Sequence, residues 1–223
     1  MCVMIDDGIL LIDKPAGMTS FGVVARVRRV LSRDVGKKVK VGHTGTLDPF
    51  ATGLIILVVG KECRNAGTYN KLDKVYEATF CLGQVSTTGD PEGELSAISD
   101  RQPTREEVDQ VAIRFVGKIM QRPPIFSAIK INGQRAYKLA RDGKEVEIPE
   151  RQIEIFSLEV LNYAYPELTI RAHVSSGTYI RTLGGDIGVA LGTGAYCTQL
   201  RRTRIADWNV DDAKRLEDYG ITS

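Results

Sequence analysis

The sequence is poor in the residues from which metal sites, disulfide frameworks and membrane spans are built. Its 223 residues include four cysteines, two histidines and one tryptophan. The cysteines lie far apart and form no C-x-x-C pair, so we expect reduced thiols and no metal site. The longest apolar run, residues 54–59, is far shorter than the ~20 residues of a membrane-spanning helix. Asp6 and Asp7 precede a five-residue apolar stretch, the wrong charge and length for a signal peptide, and we expect a cytoplasmic protein with no membrane association.

Net charge is also small, with 30 Lys and Arg against 28 Asp and Glu. The hydrophobic fraction of 43% and the charged fraction of 26% are those of a globular protein, which excludes a disordered or fibrous chain. The length is sufficient for a core without covalent cross-links. Because no linker, internal repeat or low-complexity tract is visible, we place no domain boundary and predict one domain over residues 1–223.

The positive charge is clustered along the chain. Residues 118–144 contain one acid and seven basic residues: Lys118, Arg122, Lys130, Arg135, Lys138, Arg141 and Lys144. Two further clusters are residues 37–40 (K-K-V-K) and 201–204 (R-R-T-R). Basic blocks on a nearly neutral chain indicate a local surface for a polyanion, although charge alone fits an ordinary solvated face about equally well.

The hydrophobic periodicity predicts both strands and helices. Strand patterns cover residues 8–12, 74–83 and 168–174, and residues 53–60 form a buried apolar segment. Helices are predicted after Thr19 or Ser20, after the capping box Thr104-x-x-Glu107, and over residues 211–216. Residues 87–93 have the composition of a loop. Since no regular βαβ repeat occurs, we predict an α+β fold with a mixed, largely antiparallel sheet flanked by helices and loops.

The segment most suggestive of chemistry is residues 42–54, in which three glycines and three threonines accompany His43 and Asp48. Glycine allows a ligand to approach the backbone closely. Pro49 fixes its own φ and restricts Asp48, so the Asp48 carboxylate would stand on a stiff backbone. A rigid backbone position of this kind suits a catalytic group, because it holds the side chain in one geometry. An isolated Asp–Pro pair is more often a structural Asx turn, and that alternative stays open.

Three other side chains have both a functional and a structural interpretation. Arg181 could hold a buried carboxylate in its ionised form, or it could form an exposed ion pair of little energetic value. Tyr76 could stack on a nucleobase, or it could be a core tyrosine of a strand. Leu200, beside the arginine cluster, is by itself a core leucine.

Taken together, the motifs resemble those of the bacterial TruB family of tRNA pseudouridine synthases. Residues 42–54 read G-H-T-G-T-L-D-P-F-A-T-G-L, which closely resembles a long and specific family signature. Further resemblances are residues 13–20 (D-K-P-A-G-M-T-S), 74–76 (K-V-Y), 122–141 (the basic segment), 176–181 (S-G-T-Y-I-R) and 200–202 (L-R-R). They follow the order of the family and cover nearly the whole chain, which implies the pseudouridine synthase fold.

The resemblance implies a role for each site residue. Asp48 would be the catalytic aspartate, Arg181 its ion-pair partner, and Tyr76 the ring stacked on the target uracil of the T loop. Tyr179 and Leu200 would line the same pocket, and His43 would enter the T loop beside the space left by the flipped nucleotide. Lys130 and Arg141 would bind tRNA. The isomerisation implies no cofactor and no metal, and we expect a monomer that needs tRNA and no protein partner.

Two alternatives and two departures from the family pattern stay open. The chain could be a non-enzymatic tRNA-binding or RNA-chaperone module, which would not need Asp48. It could also be the catalytic subunit of a guide-RNA pseudouridylation particle, although the bacterial pattern of the basic segment argues against this. Family members commonly carry a C-terminal PUA domain, and a chain that ends at Ser223 implies a short or truncated form with altered tRNA affinity. Ala206 stands where a glycine often follows the arginine cluster.

Overall fold

The computed structural model describes residues 7–127, 130–131, 134–135 and 148–221. By its internal contacts the chain divides into two compact units. The first unit comprises Met1–Val75 and Arg201–Ser223, and the second comprises Tyr76–Leu200. The prediction of one catalytic domain over the whole chain is not tested by this division and stays a prediction.

The described residues form the following elements. The helices are α1 (Ser20–Val35), α2 (Ala66–Asn70), α3 (Arg105–Arg114) and α4 (Ile180–Ala190). The strands are β1 (Gly8–Lys14), β2 (Val41–Thr44), β3 (Thr52–Val59), β4 (Lys74–Leu82), β5 (Gln84–Ser86), β6 (Leu95–Ala97), β7 (Gly117–Gln121), β8 (Lys130–Ile131), β9 (Gln134–Arg135), β10 (Arg151–Ala164), β11 (Glu167–Val174), β12 (Ala195–Ile205) and β13 (Trp208–Asn209). Turns of 3-10 helix cover Gly60–Asn65, Val210–Asp212 and Leu216–Tyr219.

Strand β3 is the centre of the first unit. It pairs antiparallel with β1 along one edge, while its other edge pairs antiparallel with β2 and, at Thr52 and Gly53, parallel with β12. Side chains cover both of its faces. Ile55, Leu57 and Val59 pack in a cluster with α1, whereas Leu54 and Ile56 pack in a second cluster. A strand buried on both faces reads as a continuous apolar run, which explains the pattern seen at residues 53–60.

Helix α1 is bounded by a capping residue at each end. The Thr19 hydroxyl accepts a hydrogen bond from the Gly22 N–H (3.0 Å), which caps the first turn. Gly36 ends the helix in the left-handed region, with φ of 71°. Val23, Val24 and Leu31 are buried on one face. The helix predicted after Thr19 or Ser20 is confirmed.

The second unit contains strands in the order β4–β11–β10–β7, with antiparallel pairing of β10 to both β11 and β7. In β4 the predicted alternation is confirmed, because Tyr76, Ala78, Phe80 and Leu82 are buried and the residues between them less so. The capping box of α3 is also confirmed: Thr104 and Glu107 each accept from the other's backbone N–H. With mixed pairing in the first unit and antiparallel pairing here, the α+β prediction is correct.

The helix predicted over residues 211–216 is wrong. Two short 3-10 turns occupy this region, and between them Ala213 has an extended backbone. The cause is pairing with β1: the Lys214 N–H donates to the Leu11 carbonyl and the Lys214 carbonyl accepts from the Asp13 N–H, both at 3.0 Å. Backbone groups used in this way cannot close an α-helical turn.

Of the cysteines in the described ranges, Cys63, Cys81 and Cys197, none forms a disulfide. Among the helices of the described ranges, none combines the length and apolar character that crossing a bilayer requires.

Candidate active site

Asp48 is half-buried in the loop between β2 and β3, and its neighbours on both sides are fixed to the N-terminal segment. Before it, the Leu47 N–H and carbonyl both bond the Ser20 hydroxyl, at 2.9 and 3.0 Å. After it, the Pro49 carbonyl accepts from the Gly17 N–H at 2.8 Å. The carboxylate therefore stands on a backbone held at both flanks, which is how a catalytic group is kept in one geometry.

Lys14 provides a third support beneath the same loop. Its side chain is fully buried, and its ammonium donates to the carbonyls of Pro15 (2.8 Å), Met18 (2.7 Å) and Pro49 (3.2 Å). Burial lowers the pKa of Lys14 to about 8, and the attraction of the Asp48 carboxylate opposes this change. The same attraction favours the ionised form of Asp48. Lys14 thus links the loop geometry to the charge of the carboxylate.

These contacts explain the N-terminal motif of residues 13–20 in physical terms. Three of its members, Lys14, Gly17 and Ser20, hold the backbone on either side of Asp48. The sequence separates them from that loop by about 30 positions, so periodicity could not reveal the connection. The only signal in the sequence was the co-occurrence of the two motifs.

The ends of the Asp48 loop are fixed by buried Arg202. Its guanidinium donates to the carbonyls of Leu54 (2.7 Å) and Gly45 (3.0 Å). Gly53 has φ of 104°, and a Cβ there would collide with the Arg202 backbone, so both the space and the conformation require glycine. The Gly45 N–H donates to the Asn70 side chain at 2.5 Å. Glycine at position 53 thus allows the backbone of β12, at Arg202, to approach the loop closely.

In the second unit, Arg181 forms a buried ion pair with Asp90. The Nη1–Oδ2 distance is 2.8 Å, and the two side chains are 4% and 6% exposed. The guanidinium also donates to the carbonyls of Thr88 (2.6 Å) and Phe126 (2.9 Å). Asp90 in turn accepts from the Thr88 hydroxyl and the Glu92 N–H. A guanidinium held at several points is fixed in position as well as in charge.

Sequence reasoning missed Asp90 because it lies in a segment that composition identifies only as a loop. Its partner Arg181 is 91 positions later, and no pattern of spacing joins a loop carboxylate to a helix start so far away. The predicted pair of Arg181 with Asp48 relates the two units and stays a prediction.

Tyr179 immediately precedes α4 and is held by two strand residues that face each other. The Gln121 side chain, 1% exposed, donates to the Tyr179 carbonyl (3.1 Å) and accepts from its N–H (2.8 Å). Arg151, opposite Gln121 in the pairing of β7 with β10, lies over the Tyr179 ring at 5.1 Å and donates to the Gly177 carbonyl. Sequence reasoning also missed these contacts of Gln121 and Arg151 with Tyr179.

The other predicted site residues lie as follows. His43 is on β2, in the first unit with Asp48, and is half-buried. Tyr76 is on β4 with 9% exposure, and Leu200 is on β12 with 8% exposure, both in the second unit with Tyr179 and Arg181. The Lys130 side chain and all of Arg141 lie outside the described residues.

Lys14 leads to a prediction about pH. If its ammonium supports the Asp48 loop, the single-turnover rate of the expected isomerisation should fall as pH rises through about 8, because Lys14 loses its proton there. Lys14→Met should react more slowly at neutral pH and lack this alkaline limb. The measurement is a rate profile from pH 6.5 to 9.5 at saturating protein.

Lys74→Met is the matched control for that profile. Burial also lowers the pKa of Lys74 to about 8, but its ammonium donates to the carbonyls of Asn70 and Leu72 and not to Pro49. The limb should therefore persist in Lys74→Met. If the alkaline limb vanished in Lys74→Met and persisted in Lys14→Met, the titration would belong to Lys74 and the prediction would be contradicted.

Comparison with known proteins gives a consistent result. The model of the TruB family pseudouridylate synthase N-terminal domain matches residues 29–180. The chain is 44% identical over 213 residues to tRNA pseudouridine synthase B of Phocaeicola vulgatus, covering 95% of this chain and 91% of that protein. It is 42% identical over 221 residues to tRNA pseudouridine synthase B of Chloroherpeton thalassium, covering 97% and 90%.

Solved structures agree. The crystal structure of a Cbf5-Nop10-Gar1 complex contains a chain that matches with a TM-score of 0.74 and 30% identity over 96% of this chain. This chain spans 54% of the length of that one. The family indicated by the motifs is confirmed by the match over residues 29–180 and by relatives aligned over almost their whole length. The chain therefore belongs to the TruB family of pseudouridylate synthases.

Proposed function

We propose that this protein converts the T-loop uridine of tRNA, position 55 in standard tRNA numbering, to pseudouridine. The observation that carries the proposal is the anchoring of Asp48: the backbone of both neighbouring residues is fixed by hydrogen bonds, and the buried Lys14 ammonium donates to the Pro49 carbonyl and attracts the carboxylate. A structural Asx turn would not need a buried ammonium beneath it. The names of relatives at 42–44% identity support tRNA as the substrate.

The reaction is redox-neutral and balances within one nucleotide. The C1′–N1 bond breaks, the uracil rotates, a C1′–C5 bond forms, and the proton on C5 is lost while N1 gains one. We propose that Asp48 is the essential carboxylate, either attacking C1′ or removing a ribose proton. No external electron acceptor or group donor is needed, so the expectation of no cofactor follows from the chemistry itself.

The remaining roles concern the substrate. A uridine inside a folded loop must leave its stack before its glycosidic bond can react. We propose that Tyr76 stacks on the flipped uracil, that Tyr179 and Leu200 line its pocket, and that His43 supports the space left in the T loop. Arg181 is proposed to hold Asp48 ionised, in addition to its pair with Asp90.

The direct test incubates the purified protein with an unmodified tRNA transcript and maps pseudouridine at nucleotide resolution. We expect modification at one T-loop uridine without any added protein, guide RNA or metal. A requirement for guide RNA would favour the alternative of a catalytic subunit within a particle. Binding and refolding of tRNA without any pseudouridine would favour the RNA-chaperone alternative.

We infer a cytoplasmic monomer, and gel filtration at micromolar concentration tests the oligomeric part of this inference.

Lys130 and Arg141 are proposed to bind tRNA phosphates. Each phosphate neutralised adds up to about 0.9 to the slope of log binding constant against log salt. Replacing both residues by alanine should therefore weaken binding and lower the slope by up to about 2. The matched control is Lys118→Ala, since exposed Lys118 faces Glu154 across the β7–β10 pairing. An unchanged slope in the double variant would place the two side chains in bulk solvent.

A further inference from the structure

A groove lined by cations lies at the end of the β2–β3 pair, in the first unit. The loop after α1 and the turn after β3 form its walls, and the Gly60 N–H donates to the Lys40 carbonyl (2.8 Å) to hold these two segments together. We call it the lysine groove, defined by its five cations: Lys37, Lys38, Lys40, Lys61 and Arg64. All five are exposed.

The backbone that carries three of these lysines is fixed. Gly36 ends α1 with a hydrogen bond from its N–H to the Arg33 carbonyl (3.2 Å). Val39 is 5% exposed, belongs to the core cluster of α1, and donates its N–H to the Ser32 hydroxyl (3.0 Å). Lys37, Lys38 and Lys40 therefore project from an ordered turn, and their charges are concentrated without an entropic cost to the backbone.

The groove keeps most of its positive charge. Among its lining residues Asp7 is the acid, and its carboxylate lies 3.5 Å from the Lys61 ammonium. A hydrogen bond from the Lys61 N–H, chiefly, lowers the pKa of Asp7, so this acid is ionised and committed to Lys61. Neighbouring Glu62 is bonded to the Asn65 amide (3.1 Å) and the Tyr69 hydroxyl (2.8 Å). Like charges that converge on a concave surface attract a polyanion.

The distance from Asp48 indicates which part of an RNA could reach the groove. The groove lies beside Val59, at one end of β3, and the Asp48 loop lies before Thr52, at the other end. The seven steps between the first and last of its eight residues, at about 3.3 Å each, span roughly 23 Å. At the B-DNA rise of about 3.4 Å per base step the separation corresponds to about seven steps, and the shorter rise of an A-form RNA stem makes it no fewer. The few nucleotides of a loop bound at Asp48 do not span this separation, so phosphates at the groove lie beyond the loop, at the far end of its stem or outside the stem.

We propose that the lysine groove binds phosphates of the tRNA that lie outside the T stem-loop. The inference rests on the proposed function, because it takes the target loop to be at Asp48. The groove would make affinity for the whole tRNA exceed affinity for the isolated hairpin. The lysine groove would recognise the charge and shape of the RNA backbone, and these contacts give no preference for a nucleotide sequence.

The test compares two RNAs and two variants. Filter binding measures the dissociation constants of full-length unmodified tRNA and of an isolated T stem-loop hairpin. For Lys37→Ala/Lys38→Ala we expect about a tenfold loss of tRNA affinity at low salt and a salt slope smaller by up to about 2. Hairpin affinity should stay within about twofold. The control Arg114→Ala/Lys118→Ala removes two exposed charges of the second unit and should leave the tRNA-to-hairpin affinity ratio unchanged.

The outcomes separate this inference from the proposed function. Equal losses on both RNAs would overturn it, because the groove would then contact the T stem-loop or act non-specifically. No loss on either RNA in this variant and in Lys37→Glu/Lys38→Glu would also overturn it. A selective loss of tRNA binding would support the groove even if the wild type formed no pseudouridine, in which case the proposed function alone would fail. Thermal melting of each variant should match the wild type, since the substituted side chains are exposed.

Discussion

Asp48→Asn should abolish pseudouridine formation and leave tRNA binding nearly intact. The amide keeps the size of the carboxylate, and Leu47 and Pro49 would still be held by Ser20 and Gly17. The negative charge that the reaction needs is lost, and removal of an essential catalytic group typically costs roughly 10⁴-fold or more in rate. Binding depends on phosphate contacts distributed over the surface, so affinity should change little. Single-turnover assays at saturating protein, with pseudouridine mapping, measure the effect.

The companion control is Asp73→Asn, which removes a carboxylate from the same unit but from a position just before β4. It should retain most of the wild-type rate. A rate for Asp48→Asn above a few per cent of wild type would contradict the assignment of Asp48 as the catalytic residue. Circular dichroism checks that Asp48→Asn is folded. If the variant were unfolded, its loss of activity would reflect a failure of folding and not the loss of the carboxylate.

Arg181→Met should also lose most of its activity, and the structure allows stability and catalysis to be separated. The side chain is buried with Asp90 and donates to two carbonyls, so its removal leaves a buried carboxylate without its counter-charge. Breaking a buried ion pair in this way costs about 3–5 kcal/mol of unfolding free energy. If Arg181 also holds Asp48, loss of a charge-assisted contact worth up to about 3 kcal/mol slows the reaction on the order of a hundredfold.

The decisive variant is Arg181→Met/Asp90→Leu. Replacing both members of a buried ion pair by apolar residues is often neutral for stability, so the double variant should regain much of the lost unfolding free energy. We expect no recovery of the isomerisation rate. Recovery of rate together with stability would show that Arg181 acts only through the fold. Arg181→Lys should be intermediate, since an ammonium keeps the charge but lacks the planar fork that reaches several acceptors at once.

Local features of the fold could be predicted from the sequence because they depend on near neighbours. The cap at Thr19, the capping box of Thr104 with Glu107, and the alternation of β4 involve residues at most a few positions apart. Position 206 is another example. Ala206 occupies φ of 45°, a conformation that favours glycine, which fits the expectation of a glycine at this position.

The connections that create the candidate site could not be predicted in this way. The Ser20 hydroxyl reaches Leu47 across 27 positions, and Arg181 reaches Asp90 across 91. Contacts at such separations depend on how sheets and helices assemble, and no periodicity records them. The sequence did predict Asp48, Arg181 and Tyr179 as candidates, but their respective supports Lys14, Asp90 and Gln121 follow only from the three-dimensional arrangement. The 3-10 turns near Lys214 were missed for the same reason, since β1 determines them.

The pairing of Gln121 with Arg151 has a consequence for engineering. These two residues are direct partners at the ends of β7 and β10, so the chain leaves the sheet and returns to it at a single point. The length of the polypeptide between them can therefore vary without shifting the register of either strand, provided that the Phe126 carbonyl still accepts from Arg181. Exchanging the segment for that of another family member would test the proposed contribution of Lys130 and Arg141 to tRNA binding. Any such exchange must keep both boundary residues, because the same two side chains hold Tyr179 in place.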